Sequence, residues 1–360
     1  MAYYLDKYRS GRRKRTTFQK FVFYSLLILI GVALVVAFRL YNALFGSNVW
    51  IKDGKEAYVC IPTGADFEKV KDIFYSHGLI EDRTSFEWLA GRKQLVKNFK
   101  PGRYKIVQGM SNLSIIRLIG SGRQEPVKLI FNNIRTKDQF AGRIAQQLEA
   151  DSVELLKKLN DSSYLTKFDL NPQTAVCLFI PNTYEFYWNT SADAFIDKMF
   201  KEYKLFWNEK RLAKAKEIGL SIPEVVTLAS IVEQETNKNA EKSRIAGVYM
   251  NRIKGNWPLQ ADPTLKFALG DFSIRRILNV HKEIESPYNT YKYAGLPPGP
   301  ICIPSIASID ATLDYEKHNY FFFCADSDMS GSHVFTANYE QQMLNAEKYR
   351  NALNRMKIYK

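Results

Sequence analysis

The chain has 360 residues and a mass of 41.6 kDa, with 46% hydrophobic and 24% charged residues. This excludes a disordered or fibrous chain, and the length allows two domains plus accessory segments. Nineteen glycines and 13 prolines exclude collagen-like or proline-rich low complexity, and four cysteines exclude a disulfide scaffold. The net charge of +14 is uneven. Residues 1–20 hold Lys7, Arg9, Arg12, Arg13, Lys14, Arg15 and Lys20 against Asp6, which is +6 and leaves about +8 for the remainder. A mildly basic body suits a polyanion such as an anionic cell envelope without identifying one.

Residues 21–38 read FVFYSLLILIGVALVVAF, 18 residues without a charge. As a helix they cover roughly 27 Å, near the hydrocarbon thickness of a bilayer. A cleaved signal peptide has a shorter apolar core and a small-residue cleavage site, and Arg39-Leu40-Tyr41-Asn42 fits that poorly. An uncleaved anchor is therefore expected over 21–41, with residues 1–20 cytoplasmic by the positive-inside rule and the rest beyond the membrane. A body on that side has no ready nucleotide supply, so wall polymer, lipids, peptides or nutrients are the expected substrates and nucleic acid is not.

Residues 42–55 read as a juxtamembrane linker. Residues 56–125 read as a small α+β unit: EAYVCIP alternates as a strand, and FEKVKDIFYSHGL is a helix stopped at Gly78. SFEWLAGRKQL is a second helix, PGRYKIVQGMS is turn, strand, turn, and NLSIIRLIGSG is a third helix closed by Gly120 and Gly122. A second region begins at Pro126 and runs to 360. VKLIF is a strand, TKDQFAGRIAQQLEA a helix, and 151–170 a helical segment broken at Asn160-Asp161-Ser162-Ser163. AVCLFIPNTYEFYW is an apolar, aromatic run, 192–218 is mostly amphipathic helix, and Ile222 to Thr236 is apolar nearly all round, hence buried. Loop-rich segments follow. NYFFFCA is a buried strand that HVFTAN can pair with, and a polar helix closes the chain near 338–355. Cys60, Cys177, Cys302 and Cys324 sit singly in apolar runs, which reads as buried free thiols.

Two features carry chemistry. IVEQET puts Glu233 and Glu235 at the end of a helix with no other charge between Val225 and Val232. A carboxyl in apolar surroundings has a raised pKa, which suits a general acid near neutral pH. On a helical wheel Glu235 lies beside Leu228, Ile231 and Val232, and Glu233 nearer Val226 and Ala229, so the wheel does not choose between them; a solvated last turn explains both equally well. The second feature is a run of stiff polar loops: Pro258-Leu259-Gln260-Ala261-Asp262-Pro263-Thr264, Pro287-Tyr288-Asn289-Thr290-Tyr291 and Gly295-Leu296-Pro297-Pro298-Gly299-Pro300. Aromatic faces beside amides and carboxylates suit sugar recognition, and ordinary proline-rich surface loops are the plainer reading. Four histidines dispersed along the chain (His77, His281, His318, His333) suggest no ligand cluster; neither a metal nor a cofactor is expected.

LASIVEQET, then LQADPT about 24 residues on, then PYNTY and GLPPGPI, and finally HVFTAN, occur in an order that strongly resembles the MltG (YceG-like) family of endolytic murein transglycosylases. The likeness covers roughly 45–360 and is densest over 225–340. It implies an α+β chain with a lysozyme-like, mainly helical catalytic domain carrying added β elements, preceded by a LysM-like subdomain. It implies cleavage of the β-1,4 bond between N-acetylmuramic acid and N-acetylglucosamine in nascent glycan strands, leaving 1,6-anhydro-muramic ends. The family's catalytic glutamate precedes Thr or Ser, which here is Glu235 before Thr236. Glu233, Gln260, Asp262, Tyr288, Asn289, Thr290, Tyr291 and His333 are then expected to support the groove. One departure stands out: the Glu-Gly pair expected before Leu178-Phe179-Ile180-Pro181-Asn182-Thr183-Tyr184 is absent and Asn182 replaces Asp, leaving Glu185 as a spatial substitute.

In the implied mechanism Glu235 protonates the glycosidic oxygen, then takes the proton of the muramic C6 hydroxyl as that hydroxyl closes on C1. A two-carboxylate hydrolase using Asp262 or Glu233 as base, and a non-catalytic glycan-binding scaffold for wall synthases, are the competing readings. Expected partners are glycan strands, the plasma membrane through one helix, and wall synthases.

Overall fold

The computed structural model describes residues 16–52, 54–93, 99–274 and 276–355. The basic block at 1–15 lies outside them. The chain divides into two compact units, Met1–Glu125 and Pro126–Lys360.

The first unit opens with α1 (Thr17–Phe45), started by a capping box in which Thr16 and Gln19 satisfy each other's backbone N–H groups. It is long and apolar enough to cross a membrane. It also outruns the apolar segment: the helix continues to Phe45, and the expected linker is no free tether. Val49 is fully buried in the core of the small unit, and Val49 and Ile80 form a β-bridge. Two buried asparagines fasten this junction. Asn48 Nδ2 donates to Asn112 Oδ1 (2.6 Å) and to the Asp82 carbonyl (2.9 Å), while Asp82 N–H donates to Asn48 Oδ1 (2.6 Å). Asn112 Nδ2 reaches the Ala43 carbonyl at the end of α1 (3.0 Å) and Ser85 Oγ (2.9 Å). Asn112→Leu strands several of these groups, so we expect a loss of about 1–3 kcal/mol in the first unit, read as an earlier denaturant midpoint of that unit's hydrogen-exchange protection.

The rest of the unit runs β1 (Glu56–Ile61), α2 (Phe67–Ser76), α3 (Arg83–Arg92), β2 (Gly102–Val107) and α4 (Asn112–Ser121). The strands pair antiparallel from Glu56↔Val107 to Ile61↔Gly102. Their period-2 pattern turns Val59, Ile61, Tyr104 and Ile106 inward onto Phe67, Phe74, Phe86 and Ile115. Asp66, Asp82 and Ser111 cap the three helices. Gly120 lies inside α4; the left-handed stop is Gly122 alone, at φ 72°.

The second unit begins with β3 (Val127–Ile130), paired antiparallel with β4 (Thr183–Phe186), and with α5 (Lys137–Ala145), α6 (Ser152–Asn160) and the short α7 (Ser162–Leu165) between them. The mostly helical region expected at 192–218 is made of two helices, α8 (Ala192–Phe206) and α9 (Glu209–Ile218), with Asn208 capping the second. Then come α10 (Ile222–Glu235), α11 (Asn239–Lys254), α12 (Asp262–Leu269), α13 (Ile306–Leu313), the β5 (Phe322–Ala325) and β6 (His333–Thr336) hairpin, and α14 (Tyr339–Arg355). β5 is half-buried along its length, not buried as the apolar run suggests. The helix α12 replaces the loop expected after Ala261, its proline sitting in the first turn where the missing N–H costs nothing.

The all-apolar α10 has a simple cause. Val225, Val226 and Ala229 enter an aromatic core with Phe140, Phe179 and Phe195, whose Phe140–Phe179 centroids are 4.2 Å apart. Leu228, Ile231 and Val232 enter a second core with Ile245, Tyr249, Leu259 and Ile301. The helix is buried on both sides, and its last turn carries the two glutamates between them. Among the described residues Cys177 and Cys302 are buried free thiols, Cys324 is a half-buried free thiol, and Cys60 is half-buried.

Candidate active site

The two glutamates face different partners. Glu233, on the Val226 and Ala229 side, meets the start of α13: Ser305 Oγ (2.5 Å) and Ser308 Oγ donate to its Oε2, as does the buried Lys242 ammonium from α11 (2.9 Å). Burial works to raise its pKa, but these hydrogen bonds and the Lys242 charge outweigh it and hold the carboxyl below the ordinary range. Glu233 is thus ionised, paired and committed to joining three helices.

Glu235, on the Leu228 and Val232 side, is half-buried. Burial pushes its pKa up to about 7, opposed by the Tyr249 hydroxyl, which donates to Oε1 at 2.6 Å. The negative field of Asp262 raises it further, while Arg252 and Lys266 lower it. A carboxyl with a pKa near neutrality has the property a general acid needs, and this separates Glu235 from the ionised Glu233. Tyr249→Phe removes a bond to the ionised form. The alkaline limb of a pH–rate profile is expected to move to higher pH by on the order of one unit.

The second and third motifs are zipped together opposite this helix end. Gln260 N–H donates to the Thr290 carbonyl (2.9 Å), Ala261 N–H to Thr290 Oγ1 (3.0 Å), and Thr264 Oγ1 and Thr290 Oγ1 share a hydrogen bond (2.8 Å). Asn289 is fully buried: its Nδ2 donates to the Lys282 and Ile284 carbonyls, and its Oδ1 accepts from Tyr291 and Lys292 N–H. Asn289 and Thr290 therefore build the frame, with their polar atoms turned to the protein. Tyr291 and Asp262 stand on it, the Tyr291 hydroxyl donating to Asp262 Oδ1 at 2.5 Å. Gln260 is exposed and held at φ 52°, a left-handed conformation that a non-glycine residue adopts only when its surroundings impose it. Tyr288 packs on Phe267 (4.8 Å) at the wall of a cavity of about 360 Å³. Gly299 passes so close to Gln173 that a Cβ would meet the Gln173 carbonyl oxygen at 2.2 Å.

Thr236 and His333 come together through a residue the sequence did not single out. Glu241 accepts from Thr236 Oγ1 (3.4 Å) and from the His333 N–H (2.9 Å), and pairs with His333 Nδ1 (2.9 Å). The His333 ring meets Phe323 at 5.4 Å, and Phe323 meets Tyr249 at 5.8 Å. Glu185 lies on the exposed side of β4 across from Lys128, and Asn182 Oδ1 accepts from Thr183 N–H (2.7 Å) as a turn element. Tyr249, Lys242, Arg252 and Glu241 all belong to α11, a helix the sequence reading left undescribed. Its signal was present: Ile245, Ala246, Tyr249 and Met250 recur at helical spacing, and Lys242 and Tyr249 are two turns apart on one face.

A glutamate with a pKa near 7, its tyrosine and two stiff polar motifs on a mainly helical body make a candidate acid–base site. The chain belongs to the YceG-like family, whose model matches residues 59–348. It is 29% identical over 320 residues to an endolytic murein transglycosylase of Bacillus subtilis (strain 168), covering 84% of this chain and 88% of that one. It is 26% identical over 354 residues to an endolytic murein transglycosylase of Streptococcus pneumoniae (strain R6), of whose length it spans 63%. A crystal structure of a yceG-like protein from Listeria monocytogenes superposes with a TM-score of 0.53 at 28% identity, over 81% of this chain and 99% of that one.

Proposed function

We propose that this chain is a membrane-anchored lytic transglycosylase. It cleaves the MurNAc-β-1,4-GlcNAc bond within nascent glycan strands and leaves 1,6-anhydro-MurNAc ends. The observation that carries this reading is Glu235, a carboxyl near pKa 7 at the motif position of the family's glutamate. Protonated Glu235 donates to the glycosidic oxygen, the C1–O bond breaks, and the resulting carboxylate takes the proton of the C6 hydroxyl as its oxygen bonds C1. The proton leaves Glu235 and returns to it within one cycle, so Tyr249 O–H, which steadies the ionised form, serves the midpoint. Asp262 is engaged by Tyr291, which supports a positioning role over that of a water-activating base.

The order β1–α2–α3–β2 supports a LysM-like reading of the first unit, with exposed Tyr58 under Arg103 and exposed Trp88 under Arg92 as the rings for sugar stacking. The lysozyme-like reading of the second unit is supported by the buried glutamate-ending α10. The basic block before the apolar helix supports a cytoplasmic N-terminus in the plasma membrane and a catalytic body outside it. There the enzyme reaches new strands beside wall synthases and limits their length.

The test is mass spectrometry of products from the full chain in detergent on uncrosslinked glycan strands. Anhydro ends are expected. Reducing ends identify a hydrolase, and glycan binding without cleavage identifies the scaffold.

A further inference from the structure

Two cavities in the second unit share Arg135 in their walls. The larger, about 360 Å³, is also lined by Lys137, Asp138, Phe267 and Tyr288. The smaller, about 100 Å³, is lined by Gln234, Lys266 and Phe272. The half-buried Arg135 guanidinium stacks on Phe272 (4.6 Å) and donates through Nη2 to Gln234 Oε1 (3.0 Å). Gln234 is held in turn by Asn133 Oδ1 (2.5 Å) and stands between Glu233 and Glu235. The guanidinium is therefore fixed to the helix turn that carries the acid. Lys266 lies within electrostatic reach of the Glu235 carboxyl. Lys137 is held by neutral oxygens, the Leu159 and Pro172 carbonyls and Asn160 Oδ1, and the acid whose field reaches it is the exposed Asp138. Among the described residues none of these three cations forms an ion pair with a carboxylate. Half-buried positive charge without its counter-charge, walled by rings and amides, is a receptor for an anion.

Resting on the murein reading, we infer that these cavities are a subsite for the carboxylates of the stem peptide borne by the muramoyl residue at the scissile bond. N-acetylglucosamine is neutral, and the muramic sugar whose bond Glu235 breaks carries its peptide on the C3 lactyl ether. The stem is therefore the anionic substituent nearest the acid. The other anion of a nascent strand, the diphosphate at its lipid-linked end, is separated from an internal cut by intervening sugars. Arg135 supplies a planar fork suited to a carboxylate, and Lys266 a point charge beside it.

The experiment compares uncrosslinked strands with intact stems, the same strands stripped of stems by an amidase and with the lactyl carboxylate this exposes converted to its neutral amide, and both forms with and without the lipid diphosphate, using the full chain in detergent. The expected kcat/KM is about tenfold higher with stems, the scale of one charge-assisted contact. Arg135→Gln with Lys266→Gln brings that ratio towards one, chiefly through KM, and Lys266→Arg retains it. Equal rates with and without stems, a ratio that survives the double substitution, or a preference that follows the diphosphate overturns the subsite. Failure of the unaltered enzyme to make anhydro ends from either strand overturns the lyase reading instead. The two failures are distinguishable, because loss of the subsite alone leaves both strands cleavable.

Discussion

Glu235→Gln removes anhydro-end formation, with kcat lowered by at least about 10²–10⁴ and glycan binding retained. The amide fits the same space and can still accept from Tyr249, but it has no proton to give or take. In the proposed mechanism Glu235 is protonated at the outset, so kcat/KM is expected to fall about tenfold per pH unit above about 7. The same substitution changes stability in the opposite direction. The unfolded carboxyl titrates near 4.5 and the folded one near 7, so between these values the native state binds the extra proton and stability declines as pH rises. At pH 8 the Gln variant is therefore expected to be more stable than the parent, on the order of 2 kcal/mol. Chemical denaturation at pH 5 and pH 8 measures this. An equal midpoint difference at both pH values would mean that Glu235 carries no burial penalty.

Glu233→Gln is expected to damage the fold first. Lys242 is 4% exposed, and losing the carboxylate leaves its ammonium buried without a counter-charge. Breaking such a pair costs about 3–5 kcal/mol. The depressed pKa of Glu233 gives the corresponding pH signature: its contribution is present above the ordinary carboxylate range and lost as pH falls through the lowered value. Glu233→Gln combined with Lys242→Met removes both charges and restores most of the midpoint. In the rescued protein anhydro ends still form. A rescued fold that makes none would move Glu233 into the chemistry.

The elements that were legible in the sequence are those with a local cause. The alternation in EAYVCIP, the strand between turns in PGRYKIVQGMS, the helix stop at Gly78 and the β5–β6 hairpin all follow from period and end chemistry. The choice between Glu233 and Glu235 was not legible from the wheel, because both have apolar neighbours on α10 itself. It depends on Ser305, Ser308, Lys242 and Tyr249, which lie between 9 and 75 residues from the glutamate each one meets and arrive through packing alone. Asn289 and Thr290 were recognised as motif residues but not as frame, since an amide aimed at backbone carbonyls and one aimed at a sugar have the same sequence. Glu241 escaped notice because its partner, His333, is 92 residues distant.

The asparagine staple at the end of α1 changes what the anchor is. From Phe38, the last residue of the apolar run, to Ala43, the residue Asn112 grips, is about 7.5 Å of helix. The small unit therefore rides on a short mast, not a leash. Tilt or rotation of the helix in the bilayer turns the unit with it, and the height of its exposed Tyr58 and Trp88 above the lipid is set by covalent and hydrogen-bonded geometry instead of by chain entropy. Such a mounting works as a gauge: the small unit keeps one standing distance from the end of the apolar run.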